Sequence, residues 1–102
     1  MLVVSCTVPS LDVAQAISRI LVMEKLCACV NQVPSISSYY MYEGEFCEDE
    51  ELLLLIKTSE EKYIALEKRL KELHPYDVPE IIASAITHSS SEYLSWMQEV
   101  LK

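Results

Sequence analysis

Two residues far apart in the chain carry its most reactive chemistry. His74 opens the stretch HPYDVPE (74–80), in which Pro75 and Pro79 stiffen the backbone. Cys6 lies in LVVSCTV (2–8), near the other end of the sequence. A thiolate and an imidazole held together suit soft or borderline ions such as Cu(I), Cu(II) or Zn(II). Asp77 and Glu80 stand close enough in sequence to complete such a site. Each residue also has a plainer use. An imidazole at a helix C-terminus is favoured by the helix dipole, and a free cysteine packs as a small buried hydrophobe. The fold decides between these readings, because it determines whether positions 6 and 74 meet.

The composition sets bounds on that fold. A chain of 102 residues, 51% hydrophobic, is long enough for one domain (1–102) with a real core and too apolar for a disordered tail. Sixteen acids against eight bases give a formal charge of −8. That field repels phosphate backbones and attracts small cations, so nucleic acid is not an expected partner. Six of the acids, Glu43, Glu45, Glu48, Asp49, Glu50 and Glu51, crowd one stretch, expected to be a solvated hairpin tip and at most a loose cation trap. The cysteines, Cys6, Cys27, Cys29 and Cys47, form no CxxC pair and read as reduced thiols of a cytoplasmic protein. The opening MLVVSCTVPS has no basic region and reads as a first strand, and no stretch is apolar for long enough to span a membrane. A single glycine, Gly44, leaves no room for a glycine-rich phosphate cradle or a nucleophile elbow, so an enzyme is not expected.

The elements that must position Cys6 and His74 follow from hydrophobic periodicity. Residues 2–8 form a buried strand ended by Pro9. Ser10 caps a helix running to about Leu26, with Val13, Ile17, Ile20 and Leu21 on its apolar face. Residues 27–33 return to strand, Pro34 kinks or bulges it, and 35–42 continue extended. Residues 43–50 are predicted as the turn and 51–58 as a strand buried inside the sheet. Thr58 and Glu61 have capping-box spacing for a second helix, whose stripe is Tyr63, Leu66, Leu70 and Leu73. Pro75 ends it by His74. Residues 80–86 form a fourth strand, and Ser89 with Glu92 opens a short helix turning Tyr93, Trp96, Met97 and Val100 inward.

The order β-α-β-β-α-β plus a terminal helix predicts an α+β, ferredoxin-like split βαβ fold, an antiparallel sheet in order 4-1-3-2 with helices on one face. Strands one and four are then neighbours, which places Cys6 and His74 at one edge. One mismatch points beyond a monomer. The extended segment from Ala28 to Tyr42 spans roughly 50 Å, whereas a helix of about fifteen residues covers roughly 22 Å. Ile36, Tyr39, Tyr40, Met41 and Tyr42 overhang, so the subunits of an obligate oligomer are expected to share these strands.

The stretches CTVPS, LVMEKLCACVNQVPSISSYYMYEG, LLLLIKT, HPYDVPEI and YLSW resemble the CutA divalent-ion tolerance family nearly end to end. The resemblance implies a cytoplasmic homotrimer of ferredoxin-like subunits, close in architecture to the PII signalling proteins and linked to tolerance of copper and other divalent metal ions. It implies metal ligands at Cys6 and His74. A second histidine that precedes the HPY stretch in some members is Leu73 here. By analogy with PII-like proteins, Tyr39 and Lys57, with His74, would line a small-ligand pocket between subunits. Ser35, Tyr42 and Ser89 stand where the family commonly has glycine, tryptophan and glycine.

Overall fold

The computed structural model describes residues 1–102. Its elements are β1 (Leu2–Val8), α1 (Leu11–Met23), β2 (Cys29–Tyr42), β3 (Glu45–Thr58), α2 (Glu60–Leu73), β4 (Ile82–Ala85) and α3 (Ser91–Val100). The sheet order is β2-β3-β1-β4, antiparallel throughout. This is the α+β split βαβ arrangement that the element order predicts.

Alternation along β1 builds the core. Val4, Cys6 and Val8 face the helices opposite Ile56, Leu54 and Leu52. Ala14, Ile17 and Leu21 of α1 and Leu66 and Leu70 of α2 close over them. A second, small cluster of Ala28, Met97 and Leu101 seats α3 at the far end. Tyr93 and Trp96, expected to face inward, remain 39% and 46% exposed, their rings 5.4 Å apart. Two helix starts fall one residue later than the capping-box spacing suggests. Ser59 accepts from the Lys62 amide, which frees the Thr58 hydroxyl to donate to the Leu26 carbonyl at 2.7 Å. Ser90 accepts from Tyr93. Helix α1 stops at Met23, before the expected Leu26, because Lys25 (φ 58°) turns left-handed. The Lys25 amide then donates to Val22 and that of Leu26 to Leu21, so the helix's last carbonyls are satisfied.

The largest revision concerns residues 45–50. They are not turn but strand, and only Glu43 (φ 50°) and Gly44 (φ 80°) turn the chain. A two-residue loop with both φ positive matches the right-handed twist of the flanking strands, so pairing continues to Tyr42↔Glu45. Strands β2 and β3 are therefore 14 residues each, against seven for β1. Pairing of β1 ends at Val8↔Leu52, and beyond it the hairpin runs unsupported, stretching the molecule to 44 Å against 25 and 22 Å in the other directions. Tyr39, Met41 and Phe46 on this overhang are 61–67% exposed.

A bulge sets the hairpin's facing. Val33 lies opposite Leu53 and Ile36 opposite Glu51, so Pro34 and Ser35 together answer one residue of β3. The proline is tolerated because β2 is an edge strand. Past the bulge, Ser38, Tyr40 and Tyr42 point to the helix-free face, beside Asp49 and Glu51. Ser35 holds φ 58°, a left-handed conformation that strains any residue with a Cβ. Ser35→Gly is expected to raise unfolding free energy by about 1 kcal/mol, read as a higher urea midpoint at unchanged slope. An unchanged or lower midpoint would show that the bulge stores no such strain.

Candidate functional site

The sheet brings Cys6 and His74 together, and the carbonyl of Thr7 is where they meet. His74 caps the end of α2, its amide donating to Leu70 and its backbone extended (ψ 136°) as the following proline requires. Its ring turns toward β1. Nε2 lies 2.8 Å from Thr7 O, and Nδ1 accepts the Tyr76 amide at 3.1 Å. An Nδ1 that accepts leaves the ring hydrogen on Nε2, which donates to Thr7. The Cys6 thiol donates to the same carbonyl at 3.7 Å.

These contacts tie up the donor atoms a metal would need: Nδ1 spends its lone pair on the Tyr76 amide, and Nε2 and the thiol hold protons that they donate to Thr7. The donor types suit copper, but both ring nitrogens are engaged and the thiol is sealed in the core with no exposed surface. Burial pushes the Cys6 thiol up to about 12, helped by the charges of Glu80 and Glu51. No group of three or more His, Cys, Asp or Glu side chains is arranged to hold an ion. As it stands, the network ties the HPYDVPE loop to the end of β1.

The loop continues onto the helix-free face, where Tyr76 donates its hydroxyl to Glu51 Oε2 at 2.9 Å. Glu51, expected as one of a row of solvated acids, is only 5% exposed. Tyr40 donates to Asp49, which pushes its phenol up to about 12. Burial, and then Glu51, raise the phenol of Tyr76 as well. Between hairpin and loop lies a cleft of about 350 Å³, lined by Tyr39, Tyr40, Tyr42, Tyr76, Glu51 and Glu80 among others. Sequence reading missed Tyr76 and Glu51. The signals that could have found them are the bulge-forming Pro34-Ser35, which re-aims β2, and the tyrosine in the stiff loop.

Tyr39 and Lys57, expected to line a pocket between subunits with His74, lie far apart within one chain. Tyr39 lies opposite Glu48, nine residues from Lys57 along β3, or about 30 Å. The Lys57 ammonium donates instead to Asn31. A larger cavity of about 570 Å³ sits by the start of α2, lined by Ser59, Lys62, Thr87 and His88 among others. Its one buried hydroxyl, that of Ser59, is already used as the helix cap. The chemistry-bearing residues therefore gather at the smaller cleft.

The family model described as CutA1 divalent ion tolerance protein matches residues 2–100. A relative from Thermus thermophilus, "Divalent-cation tolerance protein CutA", is 52% identical over 97 residues, covering 95% of this chain and 94% of that protein. The solved structure of a divalent cation tolerance protein from the same organism is 50% identical, with a TM-score of 0.96 and 100% of both chains covered. A structure from Archaeoglobus fulgidus, whose name calls that protein a periplasmic divalent cation tolerance protein, is 34% identical with a TM-score of 0.95, again covering 100% of both chains.

Burial gives the site an alkaline limit. Burial also raises the thiol of Cys27 to about 12, with the neighbouring Cys29 adding to it. Both thiols hold their protons more tightly in the folded chain than at the ordinary value of 9.0. Their contribution to stability is complete below pH 9 and is lost as pH rises from 9 toward 12, by about 1.4 kcal/mol per pH unit for each thiol. Denaturant midpoints measured from pH 8 to 11 should fall steeply above 9, and Cys6→Ala should flatten that slope. A flat profile from 9 to 11 contradicts the burial argument.

Proposed function

This chain belongs to the CutA1 divalent ion tolerance family, and we propose that it serves the response to divalent metal ions, copper among them, as an obligate homotrimer. The observation that carries the oligomer is the unsupported hairpin. Its exposed Tyr39, Met41 and Phe46, and the half-exposed Tyr40 and Tyr42, find no covering element in their own chain. A row of large apolar side chains on paired strands is aggregation-prone alone and stable only when another surface covers it. A second and a third copy, each with the same need, supply that surface.

Copper capture belongs to this reading through Cys6 and His74. Their donor types suit the ion. In the closed arrangement Nδ1 accepts from the Tyr76 amide while Nε2 and the Cys6 thiol donate their protons to Thr7, so capture requires the 74–80 loop to release and the Cys6 thiol to give up its proton. The carboxylates of Glu51 and Glu80, close enough to raise that thiol, would favour a cation arriving beside it.

Two measurements test the proposal. Light scattering at micromolar concentration should give three times the chain mass of 11.6 kDa, and Met41→Asp combined with Phe46→Asp should lower it. A monomeric wild type removes the oligomer. Because the thiol stays protonated at neutral pH, copper affinity should rise about tenfold per pH unit between 6 and 8, with the rise lost in Cys6→Ala and binding weakened in His74→Ala. Identical isotherms in all three proteins remove both ligands from the reading.

A further inference from the structure

Helix α3 keeps only part of its apolar surface for its own chain. Met97 is sealed against Ala28 and Leu101, yet Tyr93 and Trp96 stay outside, their rings 5.4 Å apart. The overhanging hairpin carries a second aromatic pair, Tyr39 and Phe46, with ring centroids 6.5 Å apart and Met41 directly opposite Phe46. Phe46 shares a face of β3 with Leu52 and Leu54, so this trio lies on the helix side of the sheet. No helix reaches that far, and all three side chains stay exposed. The exposed aromatic residues of the chain thus fall into two groups, one on the hairpin and one on α3.

The two groups cannot meet within one chain. Ala28, on which α3 sits, donates its amide to Lys57, eleven residues along β3 from Phe46, or about 36 Å. Two hairpins cannot cover each other well either. Glu48 and Glu50 share the face of Tyr39 and Phe46, so that pairing would set each acid row against its own copy. Helix α3 presents no such row: Glu99 is paired with Lys102 at 2.9 Å, and Glu92 lies in the first turn. The lengths also agree. Residues 45–51 overhang by about 23 Å, enough to cross a ten-residue helix of about 15 Å. Offset and edge-to-face aromatic contacts then add to the burial. A contact between two different patches at opposite ends of a molecule is head-to-tail, the kind that closes a cyclic oligomer.

We infer that the hairpin of each copy lies across α3 of the next, with Tyr39, Met41 and Phe46 packed on Tyr93 and Trp96. This docking presupposes the oligomer proposed above and adds to it the receiving surface and the head-to-tail sense. Every copy then gives one aromatic pair and receives another.

Cross-linking with a short bismaleimide tests it, after the native mass of each protein has been measured. Cys29→Ala and Cys47→Ala first remove the two partly exposed thiols. In that background, a chain carrying both Phe46→Cys and Trp96→Cys should yield covalent dimers and trimers on a denaturing gel. Chains carrying either change alone should run as single chains. Cross-linking in Phe46→Cys alone would assign the contact to two hairpins, and in Trp96→Cys alone to two α3 helices. Either result overturns the docking, as does a doubly changed chain that keeps the native mass and gives no covalent product. Should that chain fail to assemble, Trp96 decides, being the only tryptophan. Its emission should shift to the red in Phe46→Ala, and an unchanged spectrum overturns the docking. A monomeric wild type removes the oligomer itself and the docking with it, whereas an oligomer without the mixed cross-link loses the docking alone.

Discussion

The half of β3 that β1 cannot reach governs this molecule. Strand β1 ends at Val8 opposite Leu52, while β3 begins seven residues earlier, at Glu45. Wherever β1 is present, the helices cover one face and seal Val4, Cys6, Val8, Leu54 and Ile56 there. Beyond it there is no third strand and no helix. The hairpin must therefore be stabilised by cross-strand contacts, by the 74–80 loop and by whatever else covers it. Both the cleft and the exposed aromatic row follow from that one difference in strand length.

Much of this was legible in the sequence, and the misses have physical causes. Strand and helix types followed from β-branched runs and 3.6-residue periodicity, and the split βαβ order then placed positions 6 and 74 at one edge. The Thr7 carbonyl, shared by both side chains, shows that placement directly. The stretch 45–50 was misread because EFCEDE carries four acids, and acids are rare in strands. Propensity lost there to pairing: a tight turn at Glu43-Gly44 commits the following residues to the register of β2. The buried state of Glu51 was hidden for a related reason. Nothing local distinguishes it from Glu50. Only the bulge, which turns Tyr40 and its neighbours to the face of Glu51, and the long-range return of Tyr76 make the difference.

The stiffness of HPYDVPE also finds its cause. Pro75 ends α2 so that His74 can cap it with an extended backbone, and the ring then spans from Tyr76 to Thr7. The same loop carries Tyr76 around the end of β1 to Glu51 on the opposite face. One short segment thus couples the helix layer, the first strand and the root of the hairpin. The metal capture proposed at Cys6 and His74 would act on this segment.

That coupling bears on how the proposed cation response would work in a chain with so few free ligands. The charge of −8 is not spread evenly: seven of the sixteen acids lie between residues 43 and 51 or at Glu80. No base falls within 43–51 or lines the cleft. A field of one sign focused on a partly enclosed, low-dielectric cleft draws cations to it. The nearest strong donors, a thiol and an imidazole, are held one strand away in a closed network. In the metal response proposed above, charge at the hairpin root would draw the ion, and coordination by the thiol and imidazole would depend on the loop letting go.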